Sequence, residues 1–275
     1  MSLLSGSTPP CIGLGLCHGT VRELPVSGLV RIAGGNGFSA IMLPLYPQAT
    51  AAEIAGFRAL LHEQGIRRVV ADGVMGPLPR CAFATQHGIT VEQHFELARR
   101  FAVDCFNVPH YHGDPATTVA EFVDALGPFC ERAAAQRISV ALEFLPGTGI
   151  PDIERALRIV EALHAPNLGI TLDSWHWARC GGALADIRAL PPGTIKDFQI
   201  SDRAADQHLR PDSDQWGRLV PGRGALPLAE LIHTALANAP ELTLNAEIFS
   251  HELQSRDPDA VAREVAAALR AIAGE

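Results

Sequence analysis

The hydrophobic pattern of this sequence switches between two periods, and it does so eight times. Short apolar runs with strand character lie near 11–17, 38–44, 66–71, 103–108, 138–145, 167–173, 195–201 and 242–249. Between them come Ala- and Leu-rich stretches whose apolar residues recur with helical spacing. They include Ala51–Gln64, Val91–Phe101, Val119–Ala135, Ile153–Leu163, Leu228–Ala237 and Ala260–Ile272. Strands that alternate with helices pair in parallel, because each helical crossover returns the chain to the same end of the sheet. Eight such units in 275 residues predict a closed (β/α)8 barrel, the TIM-barrel class of α/β fold, rather than an open doubly wound sheet. Local signals agree. Thr50 precedes Ala51-Ala52-Glu53, Asp257-Pro258 opens the last helix, and Gln64-Gly65 stops a helix before the third strand. No Gly-, Ser- or Pro-rich run divides the chain, so residues 1–275 are read as one domain.

Apolar residues make up 47% of the chain and charged residues 19%, enough for a large core. No apolar run approaches the roughly 18 residues of a membrane span. The opening MSLLSGSTPPC lacks the basic and long apolar regions of a signal peptide, so a cytoplasmic protein is expected. The six cysteines form no CxxC pair and read as reduced, mostly buried hydrophobes. A formal net charge of −8 without a basic patch counts against a nucleic-acid partner. A small molecule is the expected partner, and self-association is left open.

The last four strands carry the chemistry. Side chains alternate faces along a strand, and one face fills the barrel. Val140, Leu142 and Phe144 suit the helix-facing side of the fifth strand, which turns Glu143 inward. The same alternation turns Asp173 inward in the sixth strand, Gln199 in the seventh and Glu247 in the eighth. All four stand at the carboxyl ends of their strands, the end where barrels of this class build active sites. Three converging carboxylates need a cation or raised pKa values. An all-oxygen set suits one hard divalent ion, Mn²⁺ or Mg²⁺ first, with Co²⁺ or Zn²⁺ as alternatives.

Three stretches resemble a known family: ALEFLP around Glu143, TLDSWHWAR around Asp173 and His176, and NAEIFS around Glu247. With RLVPGRG at 218–224, similar to an R-x-x-PG-x-G loop, they resemble the xylose-isomerase-like barrels. That superfamily holds sugar (phosphate) isomerases and epimerases, inosose and 3-dehydroshikimate dehydratases, and an apurinic-site DNA endonuclease. The resemblance implies that Glu143, Asp173 and Glu247 ligate the metal. It makes His176 a substrate-contacting or outer-sphere residue and Arg218 a substrate-binding one. Gln199 stands where the sugar epimerases commonly carry His, and resembles the dehydratase branch. Arg223 replaces the usual acidic residue inside PG-x-G.

By that resemblance such a site is expected to act on a small polyhydroxylated ketone. The ion polarises the carbonyl, and a positioned carboxylate or imidazole removes the neighbouring proton. Glu143 and Glu247, with His176, are the expected proton-transfer groups. Isomerase, epimerase and dehydratase share this first step, and these residues do not separate them. Asp72 and Gln199 leave the endonuclease ligand set incomplete. A barrel that kept the fold and lost the chemistry is the non-enzymatic alternative. Trp175, Trp177 and Trp216 are candidate pocket walls, and His18, His110 and His112 are candidate residues of the barrel mouth. Arg218 is expected to reach over the metal and hold a substrate oxygen.

Overall fold

The computed structural model describes residues 12–205 and 216–274. The chain runs β1 (Gly13–Cys17), α1 (Val26–Gly35), β2 (Ala40–Leu43), α2 (Ala51–Glu63), β3 (Arg68–Ala71), α3 (Ala82–Gln86), α4 (Val91–Phe101) and β4 (Cys105–Pro109). It continues through α5 (Val119–Ala135), β5 (Ser139–Glu143), α6 (Ile153–Leu163), β6 (Leu168–Asp173), α7 (Ser174–Arg179), α8 (Leu184–Arg188) and β7 (Ile195–Ile200). It ends with α9 (Leu228–Asn238), β8 (Thr243–Ala246), α10 (His251–Gln254) and α11 (Pro258–Ala273). The strands pair in parallel in chain order, and β8 closes on β1 through Gly13↔Thr243 to Leu16↔Ala246. This is the closed TIM barrel that the alternating periods predict.

The helices start where side chains can satisfy their free N–H groups. Thr50, Thr90 and Thr118 each cap a helix, and the Glu or Gln three residues on reaches back to the cap's own backbone N–H. Asp152 and Asp257 cap α6 and α11. The helix over 26–35 is not among those the spacing singles out. Its three glycines lower helix propensity and blur the pattern, and it forms because Val26, Leu29, Val30 and Ala33 bury against the barrel. Strands two, three, five and eight are shorter than the apolar runs that mark them, because flanking apolar residues such as Phe38, Phe144 and Ile248 pack outside the pairing ladder.

Among the described residues two apolar regions result. One fills the space between strands and helices; the other is small and lies inside the ring, made of Cys17, Met42, Val70, Cys105 and Ala141. Polar contacts that skip strands confirm which side chains face inward. Thr171 Oγ1 on β6 donates to Asn107 Oδ1 on β4 at 2.6 Å. Arg68 on β3 crosses the barrel to the Lys196 carbonyl of β7 at 2.5 Å. Gly15 is required beside them, since a Cβ there would sit 1.7 Å from Asn245 Oδ1.

The segment after β7 is organised by Asp202. Its carboxylate accepts N–H bonds from Arg203, Gly222, Gly224 and Leu226 at 2.8–3.1 Å. Asp202 also bridges Leu219, and Gly217 bridges Ser250. Arg218 is thereby pinned between two antiparallel bridges. The PG-x-G motif therefore folds round an aspartate outside itself, while Arg223 turns away to Glu264 at 2.6 Å. The irregular sequence after the seventh strand, roughly 201–226, reads as one long ordered loop; its residues 206–215 lie outside the described residues.

Candidate active site at the carboxyl end of the barrel

Asp173 ends β6 and caps α7 in one move. Its Oδ1 accepts from the Trp175 and His176 N–H groups at 2.6 and 3.1 Å. Its Oδ2 faces Arg218 Nη1 at 2.9 Å. Glu247 follows β8 and is bracketed by Thr20, whose hydroxyl donates to Ala246 O at 2.8 Å and accepts from Ile248 N at 2.9 Å. Glu247 Oε2 lies 2.7 Å from the same Arg218 nitrogen. Glu143 ends β5; its Oε2 accepts from Asn107 Nδ2 at 2.8 Å, and its Oε1 lies 3.6 Å from His176 Nε2. His176 Nε2 is 4.0 Å from Asp173 Oδ2 and 3.5 Å from Arg218 Nη2. All five side chains are buried.

The structure thus brings together Glu143, Asp173, Glu247, His176 and Arg218. Gln199 stands in register with Asp173. Its Nε2 turns to Asp197 at 3.3 Å, and its buried Oε1 has no hydrogen-bond partner among the described residues. Several of the sequence expectations change. Arg218 does not hang over the mouth; it is buried among the carboxylates as their counter-ion, with Trp175 and Phe249 beside its guanidinium at 5.7 and 5.0 Å. Trp175 is fully buried and supports Arg218 rather than lining the recess described below. His110 is also structural: Nε2–H donates to the Pro79 carbonyl at 2.9 Å, and Nδ1 accepts from Gly149 N at 3.2 Å. Trp177 is a core residue, whereas Trp216 and His18 do line the mouth.

Asn107, Thr20 and Asp202 escaped the sequence reading. Asn107 had one available signal, its place on the inward face of β4. Its amide holds both Glu143 and Asp72, the latter at 3.0 Å.

Charge is divided unevenly. Burial, reinforced by the Asp173 and Asp72 charges, pushes the Glu143 carboxyl well above the usual range. Burial does the same to Glu247, and Arg218 only partly offsets it. Burial also opposes ionisation of Asp173, but Arg218 and the His176 backbone N–H outweigh it and hold Asp173 below its usual value. Burial lowers His176 to about 4, so its imidazole is neutral near pH 7. One guanidinium only partly offsets the cost of burying three carboxylates, and the two glutamates bear that cost as raised pKa values.

The donor set fits a divalent ion. One ligand atom each from Glu143, Asp173 and His176 lie within 4.8 Å of one another. Glu247 lies outside that group and is joined to it through Arg218, which also holds Asp173; carboxylate oxygens are the donors that hard divalent ions take. His176, expected to stay outside the coordination shell, has its Nε2 in the ligand group. A recess of about 210 Å³, lined by Glu143, His176, Arg218 and Glu247, opens here. It adjoins a larger cavity of about 670 Å³ on the β1–β3 side and shares Asp72, Met75 and Phe249 with it.

A closed parallel barrel with acidic side chains gathered at its carboxyl end defines a class, and comparison with known proteins gives the family. Residues 30–272 match the xylose isomerase-like TIM barrel, and the chain belongs to that family. A 3-dehydroshikimate dehydratase of Pseudomonas aeruginosa is 29% identical over 167 residues, covering 58% of this chain but 25% of the dehydratase. An inosose isomerase of Halalkalibacterium halodurans is 26% identical over 132 residues, covering 47% of this chain and 46% of the isomerase. The matched region therefore spans less than half the length of either relative. Among solved structures, an IOLI protein with a bound zinc atom superposes with a TM-score of 0.83 at 16% identity, over 95% of this chain and 98% of that one. That likeness shows the fold. No described helix is long and apolar enough to cross a membrane.

Proposed function

We propose that the protein is a divalent-metal-dependent isomerase or epimerase. It would remove a proton beside the carbonyl of a small sugar-like hydroxy-ketone and return one elsewhere on the substrate. One observation carries this reading: Glu143 and Glu247 are buried, hold their protons unusually strongly, and come from β5 and β8, with β6 and β7 between them in the ring. Two proton-transfer groups on different sides of one recess can take a proton from one face of a carbon and deliver one to the other. Residues 1–275 act as one catalytic domain in this reading.

Glu143, Asp173, Gln199 and Glu247 hold the ion, Mn²⁺ or Mg²⁺ first and Co²⁺ or Zn²⁺ as alternatives. When bound, the ion polarises the carbonyl and stabilises the charge left by proton removal. His176 Nε2 stands in the same donor group; in this reading the four oxygen side chains hold the ion and neutral His176 contacts a substrate oxygen or relays a proton. The Arg218 fork binds a substrate oxygen, and Trp175 fixes the position of that fork. A second reading, a dehydratase of an inosose or 3-dehydroshikimate-like compound, draws support from the 29% identity to a 3-dehydroshikimate dehydratase. The same proton removal followed by loss of a β-hydroxyl would give it.

The test is the purified protein with Mn²⁺ in D₂O and a panel of ketoses, inososes and 3-dehydroshikimate, followed by NMR. Deuterium entering beside the carbonyl without net loss of water supports the isomerase. A conjugated product supports the dehydratase. Metal-loaded protein that exchanges no proton on any of these ketones overturns both.

A further inference from the structure

A second group of donors lies on the far side of Glu247. Cys17 is the last residue of β1, His18 begins the 3-10 turn that follows, and Asp72 follows β3. One ligand atom from each lies within 4.8 Å of the others. His18 Nε2 is 3.5 Å from Asp72 Oδ2. Further polar groups orient these side chains. Asn107 Nδ2 donates to Asp72 Oδ1 at 3.0 Å, which leaves Oδ2 toward His18. Gly19 N–H donates to Cys17 Sγ at 3.5 Å. Glu247 Oε1 stands 4.0 Å from that sulfur while Oε2 stays on Arg218, so this one carboxylate faces both groups.

We propose that Cys17, His18 and Asp72 form a second cation site, distinct from the oxygen-rich one, for a thiophilic divalent ion of the zinc class. Thiolate, imidazole and carboxylate are the three donor types that zinc accepts, and sulfur selects against magnesium and calcium. Tetrahedral zinc with bonds of about 2.0–2.3 Å places its ligand atoms roughly 3.3–3.8 Å apart. From a present spacing of at most 4.8 Å, closing the group takes a shift of about 1–1.5 Å. The Asn107 amide and the Gly19 N–H serve as the outer partners that fix ligand orientation. His18 and Asp72 line the 670 Å³ cavity, which gives the ion a route in.

The experiment is titration of the metal-free protein with Co²⁺, read by elemental analysis and absorption. Wild type should bind two ions per chain and develop a thiolate-to-cobalt charge-transfer band. Cys17→Ala should lose the band and one ion. His18→Gln alters a partly exposed side chain and leaves the core intact; it should weaken the second ion about tenfold or more. A Glu143→Gln/Asp173→Asn double variant should lose the other ion and keep the band, which separates failure of this site from failure of the proposed catalytic one. One ion per wild-type chain with no thiolate band, or a Cys17→Ala protein with unchanged stoichiometry and spectrum, would mean an ordinary His18–Asp72 pair beside an inert thiol and overturn the proposal.

Discussion

Arg218 Nη1 lies 2.9 Å from Asp173 Oδ2, inside the barrel mouth rather than above it. With Glu247 on the same nitrogen at 2.7 Å, the guanidinium does for the carboxylates what a bound cation does. It supplies the positive charge without which three buried carboxyls would not share one recess.

Arg218→Ala should therefore change stability as well as kinetics. The metal-free variant should lose about 3–5 kcal/mol, the scale for removing one partner of a buried ion pair. Saturating Mn²⁺ should raise its melting temperature more than it raises that of wild type. Calorimetry with and without Mn²⁺ measures both. An unchanged melting temperature in the metal-free variant would remove Arg218 as the counter-ion.

Asn107→Ala removes one amide that serves three neighbours. Nδ2 holds Glu143 and Asp72, and Oδ1 accepts from Thr171. Leaving these buried groups unpaired should cost about 1–3 kcal/mol in denaturant unfolding. Because the Asn107 bond is one of the two influences that lower the Glu143 pKa, its loss should push Glu143 higher still. A Glu143 carboxyl whose infrared-detected titration does not move upward in the variant would show that Asn107 does not govern it.

Asp202→Ala should loosen the strand-seven segment. Four backbone N–H groups lose their acceptor, among them those of Gly222 and Gly224. A Cβ at Gly224 would sit 2.3 Å from Asp202 Oδ1, so the loop and the carboxylate are fitted to each other. The expected cost is about 2–3 kcal/mol, with a raised KM because Arg218 is no longer pinned. A variant with normal stability and KM would show that the loop holds its shape without Asp202.

Acid should weaken the fold through His94. This buried imidazole accepts the Gly76 N–H at 2.9 Å, and burial lowers it from 6.5 to about 4. The unfolded chain takes up a proton below pH 6.5, the folded chain only below about 4. The contribution is therefore whole above pH 6.5 and is lost as pH falls from 6.5 to 4. The difference is about 3 kcal/mol. Denaturant melts at several pH values should show a shallower acid slope for His94→Gln than for wild type. Parallel curves would assign the slope to other groups.

The sequence by itself determined the barrel and the inward face of its last four strands. Both are local properties. Alternation along a strand and 3.6-residue spacing along a helix are written in neighbouring residues, as are the threonine caps at 50, 90 and 118. Glu143, Asp173, Gln199 and Glu247 could therefore be aimed inward before any contact was known. What each side chain touches depends on residues far apart in the chain, brought together only when β8 closes on β1. Only the tertiary structure put Arg218 between Asp173 and Glu247, Asn107 between Glu143 and Asp72, and Cys17 beside a carboxylate 230 residues away. It likewise took His110 out of the site, since the carbonyl and amide that satisfy its ring come from Pro79 and Gly149. Periodicity records the direction of a side chain; its partner is fixed by the stagger and closure of the ring, which no local stretch of sequence encodes.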